Sequence, residues 1–272
     1  MLEKSIYPSE LVKSLWANRR LLADMAHRDA VGRYKGSVLG VAWAFFTPII
    51  MLSIYTFVFV HVFKARWPGA GDSSAEFSLL LFTGLILFNL FSECISRSTG
   101  VILANANFVK KVIFPLEILP CVTLVSALFH SAISLSILLA FELWVKGAIP
   151  LRAILLPVVV LPMMMMTIGL SWTIAAVGVY LRDLAQTIGL IMSGLMFMSP
   201  IFFPISAFPE RLRFILELNP LAFPIEQSRI LLLGTADVSW LLWFVHLLIG
   251  LAFMMVGFGI FQKLRRGFAD VL

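Results

Sequence analysis

The chain has 272 residues, of which 60% are hydrophobic and 13% are charged, and its formal net charge is +6. Its mean hydropathy of +0.97 lies far above that of soluble domains, in which about half of the residues are apolar and about a quarter are charged. This composition excludes a water-soluble protein built around one core, and it predicts a chain that folds in a lipid bilayer.

The first 36 residues are charged and amphipathic and contain no apolar central region. We therefore expect no cleavable signal peptide at this end of the chain. Six apolar runs follow, and each is long enough to cross a membrane, which takes about 20 residues. The runs are residues 37–63, 77–96, 116–145, 153–180, 185–205 and 238–261. The sequence thus predicts an all-α integral membrane protein, with an interfacial segment at 1–36 and a six-span transmembrane domain at 37–272.

The basic residues predict the orientation of these spans. Of the 21 lysines and arginines, six spans place fourteen on one side of the membrane and leave seven on the other. Because basic residues accumulate in cytoplasmic loops, both termini are predicted to be cytoplasmic. The net charge is thereby explained by topology, and no nucleic-acid partner is predicted. The two cysteines, Cys94 and Cys121, are predicted to be free thiols in a reducing compartment.

A short polar and basic stretch separates the second and third runs. Residues 98–114 are predicted to form a short cytoplasmic helix, which Ser98 or Thr99 could cap and which Pro115 ends. It is too short and too polar to cross the membrane. Two interpretations remain open from the residues alone: an ordinary solvated loop helix, or a docking element for a cytoplasmic motor.

Residues 206–235, between the fifth and sixth runs, contain two short helical patterns divided by Asn219 and Pro220. Pro209 suits a first helical turn, and Gly234 suits a helix end. Each pattern is too short to span the membrane, and together they are too apolar for a solvated loop. We expect a re-entrant helix pair buried against protein, with a plain surface hairpin as the alternative.

Known catalytic motifs are missing from the sequence. There is no GxxxxGK[ST] loop for a nucleotide phosphate and no Asp-x-Asp pair for a sugar-nucleotide metal site, so neither catalytic residues nor a metal site are predicted. His130 and His246 are the ionisable residues expected near the membrane centre, and they are expected to bond between helices rather than to relay protons. The chain is therefore predicted to be no enzyme but a passive conduit driven by another protein.

Five segments in order along the chain resemble the membrane subunits of ATP-binding-cassette polysaccharide exporters, the O-antigen, capsule and teichoic-acid permeases. They are "RYKGSVLGVAWAFFTP" (33–48), "NANFVKKVIFP" (105–115), "YLRDL" (180–184), "SPIFFP" (199–204) and "NPLAFPIEQSR" (219–229). The O-antigen export permeases are the most similar subtype. The resemblance implies a homodimer in the bacterial inner membrane that works with two ATPase subunits and exports a lipid-linked polysaccharide. ATP and Mg²⁺ would bind to the ATPase, and this chain would bind no cofactor.

The resemblance also implies roles for particular residues. The helix between spans two and three would be a coupling helix that docks into the ATPase, through Asn105, Asn107, Phe108, Lys110 and Lys111. The N-terminal helix, at about 17–35, would lie on the cytoplasmic membrane face, with Leu21, Leu22 and Met25 towards lipid. Arg28, Arg33 and Lys35 would contact the pyrophosphate of the lipid carrier, although anionic lipid and topology also explain these charges.

In the same way, residues 206–235 would be gate helices at the periplasmic exit, and the gate residues would be Pro209, Asn219 and Pro220. Tyr55 and Phe59 are candidates for an aromatic lining of the channel. A stripe of mostly small or polar residues in span five would form a conduit wall at a dimer seam or would pack within one subunit; it comprises Gln186, Gly189, Ser193, Phe197 and Pro200. The rival functions are a permease for a small lipid or drug and a membrane glycosyltransferase or acyltransferase.

Overall fold

The computed structural model describes residues 8–62, 74–109, 114–205, 209–217, 219–234 and 236–272, and all regular elements in these ranges are helical. The helices at the start of the chain and up to the third apolar run are α1 (Pro8–Ala17), α2 (Arg19–Gly32), α3 (Trp43–Thr56), α4 (Ser74–Ser98), α5 (Ala106–Val109) and α6 (Ile118–Lys146). Those that follow are α7 (Leu156–Tyr180), α8 (Leu184–Phe197), α9 (Glu210–Glu217), α10 (Ala222–Leu233), α11 (Trp240–Leu264) and α12 (Phe268–Val271).

Within the described ranges, five helical segments are long and apolar enough to cross a membrane, and they coincide with five of the six predicted runs. They are Gly40–Val62, Ala75–Ser98, Ile118–Lys146, Leu151–Tyr180 and Trp240–Val271. The first of them joins α3 to a π-helical stretch at Phe57–Val62. The remaining run, 185–205, differs from its prediction because its helix, α8, has only 14 residues. At 1.5 Å per residue it is about 21 Å long, shorter than the ~30 Å hydrocarbon core.

Helices α7 and α11 form the most extensive helix pair in the described structure, and they run parallel. The indole N–H of Trp243 donates to the Val158 carbonyl at one end of the pair. At the other end, the Tyr180 hydroxyl donates to the Leu264 carbonyl. Because the two helices point the same way, the chain between Tyr180 and Trp240 has to return along the full length of the pair. The short α8 begins this return.

Three glycines allow the backbones of α7 and α11 to touch. A Cβ atom on Gly257 would fall inside the van der Waals radius of the Gly169 carbonyl, and one on Gly169 would overlap the Phe253 carbonyl. A Cβ on Gly250 would likewise overlap the Pro162 carbonyl. Small residues are the usual means of close packing between membrane helices, since no hydrophobic force draws helices together in lipid. This pair is the scaffold of the fold.

The apolar residues of α2 contact protein, which the sequence did not predict. Leu21, Leu22 and Met25 pack together with Ile118 and Val122 of α6, and each stays partly exposed. An amphipathic pattern shows which side of a helix avoids water, but not whether lipid or protein covers that side. Helix α2 is thus a packed part of the bundle. Contact of the exposed part of these side chains with lipid stays a prediction.

Residues 98–109 are also arranged differently from the single helix predicted for 98–114. Helix α4 continues to Ser98, a turn follows, and a 3₁₀ segment at Leu103–Asn105 leads into the single turn of α5. Ser98 and Thr99 do not cap a helix: their hydroxyls donate back to the carbonyls of Cys94 and Ser96. The predicted polar segment is therefore a tight extension of α4. Residues 110–113 lie outside the described residues.

Candidate functional site

The candidate coupling element comprises residues 99–109, directly after α4. Asn107 is exposed, whereas Asn105 is half-buried and donates through Nδ2 to the Val101 carbonyl. The Phe108 ring stacks on Phe114, with 4.3 Å between ring centroids and 9° between ring planes. Phe108 therefore holds the element against its own chain. Of the predicted coupling residues, Lys110 and Lys111 lie outside the described residues.

A buried carboxylate anchors the base of this element. The side chain of Glu117, just before α6, is almost completely buried and pairs with Arg265, whose Nη1 lies 2.6 Å from Oε2. Ser14 donates to the other carboxylate oxygen at 2.8 Å, and the indole of Trp172 donates to the Glu117 carbonyl at 2.9 Å. One residue thereby joins α1, α6, α7 and the C-terminal segment. Arg265 also donates to the carbonyl of Phe114, on which Phe108 stacks, so loss of the Glu117 charge would loosen the support of the coupling element.

The three cations predicted to meet a pyrophosphate differ in their surroundings. Arg28 and Lys35 are exposed, and neither forms an ion pair with another residue of the described ranges. Arg33 instead pairs with Glu93 of α4. Of these three side chains, Arg28 and Lys35 are thus available to an anionic ligand as they stand, whereas Arg33 is already engaged.

A second ion pair lies beside Arg33. Arg97 of α4 binds Asp29 of α2 through both carboxylate oxygens, at 2.6 and 2.8 Å, and also approaches Glu93 at 3.4 Å. Burial alone would raise the pKa of Asp29, but hydrogen bonds from Arg97 and Ser126 outweigh burial and hold that pKa below its ordinary value. Asp29 is consequently charged at neutral pH, and the network fixes α2 against the end of α4.

Beyond these ion pairs, a cleft of about 500 Å³ opens between α3, α4 and α6, and we call it the polar cleft. Its charged lining residues are Arg33, Glu93 and Arg97, at the end next to α2, which we call its mouth. Its polar wall consists of Thr47, Asn89, Ser92, Ser96, His130, Ser131 and Ser134. A neighbouring cavity of about 480 Å³ shares Arg33 and Arg97 with the polar cleft and is bordered by Arg28 and Asn105. The ion pairs therefore separate the polar cleft from the space beside the coupling element.

The predicted helix pair at 206–235 is present as α9 and α10. Helix α10 ends at Gly234, whose backbone is in the left-handed conformation. Asn219 fixes the turn between the two helices. Its Nδ2 donates to the Met198 carbonyl and to the Ser199 hydroxyl, each at 2.9 Å, and its Oδ1 accepts from the Leu221 N–H. Pro220 follows in the turn, and Pro209 is exposed immediately before α9. Residues 206–208, 218 and 235 lie outside the described residues.

Arg229 on α10 is the most deeply buried cation in the described structure. Its Nε donates to the Leu80 carbonyl of α4 and one Nη to the Ile201 carbonyl, each at 2.9 Å. The other Nη donates to the Pro200 carbonyl and to Glu226. Gly84 of α4 leaves the space for this guanidinium, because a Cβ there would lie 3.0 Å from its nitrogen. Helix α10 is thus tied to α4 and to the segment after α8.

Tyr55 and Phe59, the predicted channel aromatics, are half-buried neighbours on one face. The Phe59 ring lies between Phe202 and Phe77, at centroid distances of 5.3 and 6.1 Å. Tyr55 is 6.4 Å from Phe59. These rings form a continuous aromatic cluster beside the segment that Arg229 holds. Whether the cluster lines a channel stays a prediction.

Helices α3 and α8 are largely uncovered. In the span that contains α3, only 6% of the residues are buried, against 83% in the span of α4. On α8, Gln186, Gly189 and Ser193 are exposed, and no atom lies within 4 Å of where a Gly189 Cβ would be. Packing within one subunit therefore does not explain this stripe. Pro200, predicted as its last member, is buried instead.

Sequence reasoning missed the roles of Glu117, Arg97 and Arg229. A usable signal was present for Arg229, since a cation within a helix pair predicted to be buried at membrane depth needs an internal partner. For Glu117 and Arg97 the partners are far away in sequence. Nothing in the sequence alone connects Glu117 with Arg265, 148 residues later.

Comparison with known proteins identifies the family. The O-antigen export system permease protein RfbA of Klebsiella pneumoniae is 28% identical over 255 residues, which cover 93% of this chain and 95% of that protein. A Myxococcus xanthus protein of the same name is 28% identical over 78% of this chain and 79% of its own length. The polysialic acid transport protein KpsM of Escherichia coli is 26% identical over 74% of this chain and 76% of its own length. The profile of the ABC-2 type transporter family matches residues 21–233, and the chain therefore belongs to that family of membrane transporters.

Proposed function

We propose that this chain is the membrane subunit of a transporter that exports a lipid-linked polysaccharide across the bacterial inner membrane, driven by a separate ATPase. The observation that carries the proposal is the similarity, along nearly the whole chain, to permeases named for O-antigen export. The polar cleft and the aromatic cluster support it, because a sugar chain requires polar groups for its hydroxyls and flat apolar faces for its C–H groups.

The orientation we propose places α2, the coupling element and both termini in the cytoplasm. The support is the distribution of basic residues, fourteen of the 21 falling on that side. The parallel arrangement of α7 and α11 requires one more crossing between them, which α8 and the residues after it make. The chain then crosses the membrane six times, and α9 and α10 form a re-entrant pair near the periplasmic exit.

We further propose a homodimer in which α3 and α8 meet their counterparts. Both helices are exposed, and the polar and small residues Gln186, Gly189 and Ser193 are poorly suited to lipid, where an amide side chain is costly to bury without a partner. A second copy, with the polymer between the two, would cover these side chains. Two copies also provide a wider path than a bundle of six helices.

At the cytoplasmic face, Arg28 and Lys35 would contact the pyrophosphate of the lipid carrier. Arg33 would join them by exchanging Glu93 for the diphosphate, since arginine binds phosphate and carboxylate in the same forked geometry. The opposite end of the path would be the gate formed by α9 and α10, with Pro209, Asn219 and Pro220 at its turns and with Tyr55 and Phe59 at the exit half of the channel.

The coupling element is tested by reversal of its charge. In Lys110→Glu with Lys111→Glu, two attractive contacts to the ATPase become repulsive, and juxtaposed like charges cost several kcal/mol. We expect normal insertion in the membrane, poor copurification with the ATPase, and accumulation of the lipid-linked polymer inside the cell. Lys110→Arg with Lys111→Arg is the matched control and should behave as the wild type. Two ATPase subunits per dimer should copurify with that control.

Phe108→Ala is a less specific test than the sequence suggested, because the Phe108 ring stacks on Phe114 and its removal loosens the element itself. Asn107, which is exposed, reports on docking alone, and Asn107→Glu should weaken copurification without a change in protein level. Normal copurification and export in both the double lysine variant and Asn107→Glu would mean that the ATPase docks elsewhere.

A further inference from the structure

The polar cleft reaches far into the bundle from the end that carries α2. Asn89 lies nine residues from the end of α4 at Ser98, and His130 lies twelve residues from the start of α6 at Ile118. At 1.5 Å per residue these positions are about 14 and 18 Å along their helices. The polar surface therefore extends about halfway along α4 and α6, two helices that are long enough to span a membrane.

Several polar groups of this surface have no partner within the described chain. The Nε2 atom of His130 is buried and forms no hydrogen bond, whereas Nδ1 contacts the Ser126 carbonyl at 2.8 Å. The Asn89 side chain is exposed, and among the described residues no hydrogen-bond partner is found for it. An unsatisfied polar group in an apolar medium costs several kcal/mol. A polar occupant of the cleft would supply a partner for the exposed Asn89 amide, whereas the buried Nε2 atom is closed to it.

The charges at the mouth of the cleft favour a neutral occupant. Arg33 is paired with Glu93, and Arg97 is paired with Asp29, so two positive charges are balanced by two negative ones. A diphosphate that passed Arg33 into the cleft would meet the carboxylate of Glu93. The anion is therefore better placed outside the cleft, beside the exposed Arg28 and Lys35, with Arg33 at the boundary.

The remaining walls are apolar and suit the faces of a sugar ring. Pro48 and Met51 of α3 and Phe82 of α4 also line the cleft. The Tyr34 ring lies 5.8 Å from His130 at the same cleft. A volume of about 500 Å³ is within the range of about 300–1,000 Å³ typical of small-ligand sites, and it accommodates one or two sugar rings.

We propose that the polar cleft binds the sugar attached directly to the carrier pyrophosphate, with Asn89 and Ser134 bonding its hydroxyls. The inference rests on the proposed function, and it adds a recognition site for the carbohydrate that adjoins the cations that meet the phosphates, with Arg33 at the boundary between the two. A bare carrier lipid fills the cation site and leaves the cleft empty. The permease would thereby distinguish a glycosylated carrier from an unglycosylated one before transport begins.

The experiment measures the reactivity of single cysteines in the complete transporter, in inverted membrane vesicles without ATP. Asn89→Cys and Ser134→Cys are placed in a chain in which the buried Cys94 and Cys121 are replaced by alanine. A small charged thiol reagent is added to vesicles prepared from two hosts. One host makes the complete lipid-linked polymer, and the other lacks the enzyme that attaches the first sugar and so contains only bare carrier lipid.

We expect both cysteines to react in vesicles with bare carrier, because the cleft is then hydrated, and to react at least about tenfold more slowly when the glycosylated carrier is present. Phe129→Cys, beside His130 but outside the cleft, is the control and should react equally slowly in both hosts. Equal labelling of Asn89→Cys and Ser134→Cys in the two hosts would overturn the proposal, as would failure of both to react in either host.

A second measurement separates this inference from the proposed function. The same cysteine variants and Asn89→Leu are assayed for polymer at the cell surface. If the wild type exports polymer, labelling is equal in the two hosts and Asn89→Leu exports normally, the chain is an exporter and the cleft is not its sugar site. We expect Asn89→Leu, which keeps the size of the side chain but loses its amide, to reduce export at least about fivefold with an unchanged protein level.

Discussion

Replacement of Gly257 by leucine should prevent the permease from accumulating as a folded protein. The Gly257 Cα faces the Gly169 carbonyl so closely that not even a methyl group fits, and a leucine side chain would force α7 and α11 apart along 25-residue helices. Overpacking in a well-packed site costs about 1–3 kcal/mol or more, and here the obstacle is rigid backbone. The measurement is the amount of monodisperse protein in mild detergent after membrane extraction.

The matched control for this variant is Gly194→Leu on α8, where no atom lies within 4 Å of the added Cβ. We expect Gly194→Leu to leave the amount of folded protein unchanged, whereas Gly257→Ala should already lower it. If Gly257→Leu yields as much monodisperse protein as Gly194→Leu, the two helix backbones do not touch as described.

Replacement of Arg229 by leucine should detach the helix pair α9–α10 from the rest of the bundle. The change leaves the Pro200 and Ile201 carbonyls without the donors that they have in the structure and leaves Glu226 without its cation. Removal of one member of a buried ionic network costs about 3–5 kcal/mol. We expect a strongly lowered melting temperature of the purified protein and loss of polymer export.

Two further variants make this test specific to the buried guanidinium. Arg229→Lys retains the positive charge but provides fewer and differently directed donors, and we expect an intermediate loss. Arg211→Leu removes an exposed arginine from α9 of the same helix pair and should change the melting temperature little. Equal melting temperatures for Arg229→Leu and Arg211→Leu would show that the network does not hold the pair.

The spans could be predicted from the sequence because apolar runs and their lengths are local properties. Five of six runs became full-length helices, and the turn at Asn219 and the end of α10 at Gly234 were predicted from residue types with specific backbone preferences. The length of α8 was not predicted, because residues 198–205 are as apolar as a span. Asn219 and Arg229 hold these residues in turns.

The environment of each helix face could not be predicted in the same way. The apolar edge of α2 was assigned to lipid, yet it packs on α6, because both surroundings select the same residues. The predicted cations Arg28, Arg33 and Lys35 look alike in sequence, but within the described ranges only Arg33 has a carboxylate partner, Glu93, sixty residues away. The polar cleft combines residues of three helices, and each of these helices alone reads as a mostly apolar span.

The measurement that tests the account most directly is deletion of this gene in its own host, followed by analysis of the lipid-linked polymer inside the cell and of the polysaccharide at its surface. We predict that surface polysaccharide is lost while lipid-linked polymer accumulates on the cytoplasmic side, and that the wild-type gene restores export but the doubly reversed Lys110 and Lys111 variant does not. Unchanged surface polysaccharide would contradict the account. So would loss of the polymer from both locations, since that result would place the chain in synthesis rather than in export.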